Sequence, residues 1–486
     1  MDSKISAVII FGILLRILFW TTAPVTGDAT FHLTITAYIA EHKTVPVFED
    51  AAGPNPFWYP PLFHLSSAII YYITGVDRLA PLLFGILGIF AFYKFTKNHF
   101  PKYNTFSTAI LALMPFHIYY SSIAYPETLM FLVATLAYNS YFNWMKNKRT
   151  GEFFNAVGFS SLALMTHYYG FIVLCSVAAH LAIKNKKNAI LFFTIGVILS
   201  SPWYLRNYAI FGNPLWPKLG AGYYKGDSAI QALPLADAVY NVLNPKRWAG
   251  TYFDFLMGAP NSGEDLLEKT AANAGNKAIL WLGAVMWFVA ALVFLHFLFK
   301  GLNCLSIKDA ILPALAFVIS ILPYSGNNLA RMFVCAIPFI PVIIAKGIGS
   351  RQSLTFFAAI IVLTAGSYTY AYTNMKVREE YTPFFNLMKE RIGSDERVLM
   401  PYKVGECLYF SKKRCARVGS AGGVQIVDEE ELEENIAENR ISYVCCTSMN
   451  YDSLRGYNRM VCEHYSRGQP SFSYVKNNIW GKCWVV

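Results

Sequence analysis

The stretch Ala278–Phe299, AILWLGAVMWFVAALVFLHFLF, holds no Lys, Arg, Asp or Glu. A helix in the core of a soluble domain rarely needs so long an uncharged run, whereas crossing a ~30 Å hydrocarbon layer takes about 20 such residues. Working outward, Ala109–Tyr120 (AILALMPFHIYY) is a second run of the same kind. Across the chain 55% of residues are hydrophobic and only 15% charged, where a soluble chain carries roughly 25% charged residues. The aromatic share of 16% agrees, because Tyr and Trp are favoured at membrane–water interfaces. The fold class expected is a mostly α-helical polytopic membrane protein.

The net charge of +11 points away from nucleic acid, because Lys and Arg fall in short clusters between apolar runs. That is the pattern of cytoplasmic loops. Ile5–Thr22 follows Lys4 and has no small-residue cleavage site after it, so it is read as a retained signal anchor with a cytoplasmic N-terminus. From there the runs alternate across the membrane, giving about eleven spans. The short inner loops contain Lys94, Lys97 and Lys102; Lys146, Lys148 and Arg149; Lys184, Lys186 and Lys187; Lys300 and Lys308; Lys346 and Arg351. Every one is basic, as the positive-inside rule requires. A third span is expected over about 105–120, a seventh ending at Pro202-Trp203-Tyr204, and a tenth from Arg331 to Lys346. The eleventh runs from Leu354 to Tyr372. Outer loops are expected over 23–78 and 205–277. Pro60–Gly75 is read as re-entrant or interfacial, since a crossing there would put the basic loops outside.

Residues 1–374 thus form a transmembrane body. Residues 375–486 read as a small α/β domain outside the membrane, with strands at Arg397–Met400 and Ile441–Cys445 and an acidic helix at Asp428–Asn439. Six of the nine cysteines lie in this tail: Cys407, Cys415, Cys445, Cys446, Cys462 and Cys483. Either they pair as disulfides outside the cell or they are structural thiols. Cys445 and Cys446 are adjacent, which offers no zinc-ligand spacing.

Several ionisable residues gather at the outer ends of spans, with Arg16, inside the first span, as the exception. Asp28 and His32 stand four apart after the first span, a spacing that puts them on one side of a helix. Glu127 begins the fourth span, and His167 lies at the turn between the fifth and sixth. Arg206 follows the seventh, and Arg331 starts the tenth. Each alone can be a snorkelling interfacial residue, and Asp28 can be a helix N-cap. Together at membrane depth they point to a site. Guanidinium groups grip phosphate oxygens bidentately, and a carboxylate can take a hydroxyl proton. This set suits transfer of a group carried on a lipid phosphate.

Several segments in order resemble the GT-C superfamily of polyprenyl-phosphate-sugar glycosyltransferases, which includes protein O-mannosyltransferases and lipid A aminoarabinose transferases. They are Gly27-Asp28, Tyr59-Pro60-Pro61-Leu62, Tyr125-Pro126-Glu127, Pro202-Trp203-Tyr204-Leu205-Arg206-Asn207 with Gly212-Asn213-Pro214, and Asn328–Pro338 containing Arg331. The resemblance spans about residues 5–350 and implies an inverting transfer on the extracytoplasmic face. Asp28, with Glu127, would be catalytic. Arg331, Arg206 and His167 would hold the donor phosphate, and His32, Tyr59 and His64 would bind substrate. The partners implied are a polyprenyl-phosphate-linked sugar, a lipid, glycan or protein acceptor, and the bilayer. The chain departs from relatives in Ala29, where some have a second acid. It also departs in Tyr59 before the Pro-Pro and in His167, at both of which some have Lys. No WWDYG-like motif occurs in the tail, which argues against transfer of a whole glycan to Asn. Asp28, His32 and Glu127 are possible ligands of a divalent metal ion, although their spacing does not demand one. The competing readings are a transporter, which should show inverted repeats, and a flippase or ligase of lipid-linked glycans.

Overall fold

The computed structural model describes residues 3–23, 25, 28–47, 57, 59–215, 255–256, 277–321, 331, 333–349, 352–379, 381–400, 406–416, 432–438, 440–448, 457–476 and 479–486. Most of the expected outer loop 205–277 therefore lies outside the described residues, as do Gly27 and Asn328.

Helix α1 (Ser3–Thr22) has 20 residues, about 30 Å at 1.5 Å per residue. Its buried positions are Ile5, Ile9, Gly12, Arg16 and Phe19, one stripe at helical spacing. Ile10, Phe11, Leu14, Ile17 and Leu18 face outward, so the exposed side is as apolar as the buried one. In water this would be costly, but a bilayer accepts it. Four helices among the described residues are long and apolar enough to cross a membrane: α1, α4 (Leu79–His99), α10 (Lys186–Phe211) and α11 (Lys277–Asn303, over Val285–Asn303). The chain is a membrane protein by these helices.

The other expected spans are shorter, more polar or broken. The third is two helices, α5 (Asn104–Leu113) and α6 (Pro115–Tyr120), divided at Met114. Pro115 has no N–H to donate, so carbonyls at the end of α5 need other partners. Arg16 supplies two: its Nη1 donates to Ala112 O (2.9 Å) and its Nη2 to Leu111 O (3.3 Å). Thr364 Oγ1 donates to Leu113 O (2.7 Å). Helix α10 does not stop at Pro202 but runs through it to Phe211. Beyond the proline, Trp203, Asn207 and Phe211 are buried, and their packing offsets the lost backbone bond. The expected tenth span is a short turn at Phe333–Cys335 followed by α13 (Ile340–Gly347); α12 (Ile307–Ile321) precedes it. Helix α14 (Ser353–Glu379) continues past residue 374.

Between α1 and α4 lie α2 (Asp28–His42) and α3 (Leu62–Thr74). With 13 residues, α3 is about 20 Å long, below a full crossing, and it exposes Ile69, Tyr72 and Ile73. The remaining elements of the body are α7 (Glu127–Asn147), α8 (Thr150–Thr166) and α9 (Phe171–Lys184). Helix α7 packs against α4 and α8.

The tail forms a five-stranded sheet in the order β2-β1-β3-β5-β4. Strands β1 (Arg397–Leu399), β2 (Arg414–Ala416) and β3 (Tyr443–Thr447) are parallel, and β4 (Phe472–Lys476) and β5 (Ile479–Val485) are antiparallel additions. Alternation along the strands builds two separate cores. Val398, Cys445 and Cys483 face one way, with α15 (Thr382–Arg391) through Phe384, Phe385 and Met388. Leu399, Val444, Cys446 and Trp484 face the other, with α16 (Leu432–Glu438) and α17 (Tyr457–Ser466) through Leu432 and Val461. All six tail cysteines pair: Cys407–Cys415, Cys445–Cys483 and Cys446–Cys462. Adjacent Cys445 and Cys446 thus serve opposite faces of one sheet.

Candidate active site

Asp28 is the first residue of α2 and Glu127 the first residue of α7. Carboxylates are favoured at helix N-termini, where the peptide dipoles leave partial positive charge. Both converge on Arg331. Its Nε donates to Glu127 Oε1, and its Nη1 lies 3.7 Å from Asp28 Oδ2. The Tyr125 ring completes the seat, with the guanidinium carbon 4.8 Å from the ring centroid.

The two acids differ in setting. The side chains of Arg331 and Glu127 are 6% and 2% exposed, while that of Asp28 is 56% exposed. A buried charge is tolerated when paired and hydrogen-bonded, which Glu127 and Arg331 do for one another. Asp28 stays open to its surroundings. Two buried polar atoms are left over: Arg331 Nη2 and Glu127 Oε2 have no hydrogen-bond partner among the described residues. A guanidinium edge left unpaired beside an open carboxylate can accept an anionic oxygen.

The histidines gather next to this group. His32 Nδ1 and His64 Nε2 are 2.9 Å apart, and both residues are buried. The His32 ring meets those of Tyr59, Phe63 and Tyr125, and His64 meets Phe57 and Phe63. His167 is buried between α8 and α9. Its Nδ1 accepts the Tyr169 N–H (3.2 Å), its ring lies against Tyr169 (4.0 Å), and Tyr59 is 5.8 Å away. The tight turn depends on Gly170, where a Cβ would stand 2.1 Å from the Ala163 carbonyl.

Arg206 is committed elsewhere. Its Nη1 donates to Phe57 O (3.1 Å) and Asn207 Oδ1 (3.0 Å), and its Nη2 to Pro46 O (2.9 Å). It lies over Trp203, at 4.4 Å. The side chain pins the segment between α2 and α3. Sequence reading missed the parts played by Tyr125 and Tyr169. Tyr125 adjoins Glu127 within a quoted motif, but a ring's role as a seat for a cation has no sequence signal.

Among the described residues no group of three or more His, Cys, Asp or Glu can hold a metal ion. Where Asp28 and Glu127 come together, the Arg331 guanidinium already supplies the positive charge. The residues as arranged do not fit a divalent ion between the two acids.

No protein-family description and no curated protein sequence matches the chain. Solved structures do. The apo oligosaccharyltransferase of Archaeoglobus fulgidus aligns over 92% of this chain and 70% of its own, with a TM-score of 0.58 and 14% identity. ArnT from Cupriavidus metallidurans, bound to undecaprenyl phosphate, aligns over 98% and 97%, with a TM-score of 0.57 and 9% identity. The chain shares the fold of these two proteins. The archaeal enzyme AglB, solved with an inhibitory peptide and dolichol phosphate, aligns over 92% of this chain and 69% of its own at a TM-score of 0.54 and 13% identity. At such identities the likeness is one of fold. What this fold carries here rests on the residues around Arg331.

Proposed function

We propose that this protein is a membrane glycosyltransferase that moves a sugar from a polyprenyl phosphate to a hydroxyl acceptor. The reaction would run on the extracytoplasmic face, with the N-terminus in the cytoplasm. On this reading residues 1–374 are the catalytic body and 375–486 an outer domain. The observation that carries the reading is the seat of Arg331: buried, flanked by Asp28 and Glu127, with Nη2 unpartnered among the described residues. The neighbours of this fold include one solved with undecaprenyl phosphate and one with dolichol phosphate, which supports a lipid phosphate as donor.

The roles follow from exposure and pairing. The acceptor oxygen attacks the anomeric carbon from the face opposite the phosphate, so configuration inverts. Its proton passes to the open Asp28 carboxylate. The bond from carbon to phosphate oxygen breaks, and its electron pair stays on the phosphate, which Arg331 stabilises. Glu127 is a positioning residue, since its carboxylate is buried against the Arg331 guanidinium. Arg206 acts on the outer loop rather than on the phosphate.

The test is release of polyprenyl phosphate by the purified protein in nanodiscs, given polyprenyl-phosphate-linked mannose, glucose or aminoarabinose with mixed acceptors. Asp28→Asn should lower kcat by about 10²–10⁴ and leave binding of the bare lipid phosphate in place. Turnover that survives Asp28→Asn would move the base elsewhere. Absence of both turnover and lipid-phosphate binding would favour a transporter of another solute.

A further inference from the structure

The His32–His64 pair has a chemistry that the transfer step does not use. Each neutral imidazole carries one N–H. One of the two N–H groups is spent on the bond between the rings, His32 Nδ1 to His64 Nε2 at 2.9 Å. The outer atoms, His32 Nε2 and His64 Nδ1, must then be one donor and one bare acceptor, whichever way the bond runs. Both are buried, in residues 2% and 1% exposed, and neither has a partner among the described residues. Buried polar atoms are rarely left this way without a ligand or water. An apolar occupant would leave both atoms unsatisfied, and an anion would satisfy only the donor. A hydroxyl can serve whichever of the two atoms it meets, accepting from the donor or donating to the acceptor.

The surroundings narrow the hydroxyl to one on a ring-shaped, half-apolar molecule. Phe57, Tyr59, Phe63 and Tyr125 pack their rings around the pair, and a sugar presents a C–H face with hydroxyls at its rim. Tyr125 links this place to the phosphate seat. It carries the Arg331 guanidinium at 4.8 Å from its centroid and the His32 ring at 5.5 Å. His32 also lies one helical turn after Asp28 on the same side of α2.

We infer that the His32–His64 pair binds a hydroxyl of the sugar on the lipid-linked donor and so discriminates the glycosylated donor from the bare lipid phosphate. This rests on the reading of Arg331 as the phosphate seat. The experiment separates the two by using two ligands. Binding of bare polyprenyl phosphate, and of polyprenyl phosphate bearing mannose, glucose or aminoarabinose, is measured on the full chain in nanodiscs. The wild type should bind at least one glycosylated lipid more tightly than the bare one, by about tenfold or more. His32→Leu and His64→Leu should each erase that preference and keep the affinity for the bare lipid. His64→Gln, which retains a donor and an acceptor, should keep part of it.

A preference unchanged in the Leu variants would overturn the inference and leave the pair as a water-filled structural contact. So would unchanged donor preference with a raised KM for the acceptor, or no preference for any of the three sugars in the wild type. A Leu variant that loses all binding through misfolding is judged on His64→Gln, where parallel loss for both lipids also overturns it. Failure of the wild type to bind the bare lipid strikes instead at Arg331.

Discussion

Two arginines, Arg16 and Arg331, are buried in the apolar body, and they are handled in opposite ways. Arg16 is answered by three main-chain carbonyls and a neutral ring nitrogen. Its terminal nitrogens donate to Gly12 O (2.7 Å), Ala112 O, Leu111 O and His117 Nδ1 (2.8 Å), and the nitrogen left over is Nε, recessed on the stem. Arg331 is answered by carboxylates, and the nitrogen left over is the terminal Nη2. One guanidinium closes a broken helix; the other, among the described residues, keeps a free edge beside an open acid. A charged residue at membrane depth is thus not by itself a site. What separates the two is whether its bonding is completed from within the fold.

The largest effect should come from breaking the second arrangement. Arg331→Met leaves Glu127 buried without a counter-charge, which costs about 3–5 kcal/mol of stability. Replacing both, Arg331→Met with Glu127→Met, removes the uncompensated charge and should recover most of that loss, because a buried pair and a well-packed apolar pair are often comparable. Thermal unfolding in detergent reads the recovery. Lipid-phosphate binding and turnover should stay abolished in the double variant. Recovery of activity along with stability would make Arg331 a structural residue like Arg16.

Arg16→Met tests the other half of the comparison. It strips the Ala112 carbonyl of the Arg16 donor and leaves Leu111 O with the Met114 N–H alone, and an unsatisfied buried group costs about 1–3 kcal/mol. Unfolding temperature should fall, while affinity for polyprenyl phosphate per folded molecule stays at the wild-type value. A selective loss of lipid binding at unchanged stability would bring Arg16 into the site. Next in size is Arg206→Lys. Lys lacks the planar fork that reaches Pro46 and Phe57 together, so the loop should loosen by about 1 kcal/mol. Protease susceptibility within 43–59 should rise, with affinity for the bare lipid phosphate unchanged. A collapse of that affinity would restore Arg206 to the phosphate site.

The difference between these arginines was only partly legible. Uncharged runs and basic loops marked α1, α4, α10 and α11, because crossing a bilayer constrains length and composition directly. The break at Pro115 was visible as a residue, yet its consequence was not. Nothing in sequence says that the carbonyls it frees are met by Arg16, some hundred residues earlier, and by Thr364. The candidate site was legible as a set of residue types, since Asp28, Glu127 and Arg331 all sit at the starts of segments. Their division of labour was not, because it depends on burial, and burial is settled by what packs over a side chain. Arg206 shows the same limit: the motif did not announce that its guanidinium donates to the Phe57 and Pro46 carbonyls and to Asn207 Oδ1. In the tail the spacing of six cysteines left pairing open, and the alternation of strand faces decided it.

The smallest effect expected concerns how the tail meets the body. Phe31, one turn beyond Asp28 in α2, packs against the tail core that holds Phe384, Cys407 and Leu408. The π-helical turn Cys407–Ser411 lies against α2 and is held to β2 by Cys407–Cys415. From that turn the Tyr409 hydroxyl donates to the Asp77 carboxylate, in the linker between α3 and α4. Both groups are half-buried, so solvent screens part of the bond. Tyr409→Phe should then cost about 1 kcal/mol or less. It should lower kcat by only a few fold, about what a slight loosening of α2 at Asp28 allows, with lipid-phosphate affinity unchanged because Arg331 is untouched. A fall in kcat of a hundredfold at unchanged affinity would mean that the tail, and not the pairing with Arg331, sets the position of Asp28. An unchanged kcat would mean that Phe31 and the packing around it hold α2 without help from the hydrogen bond.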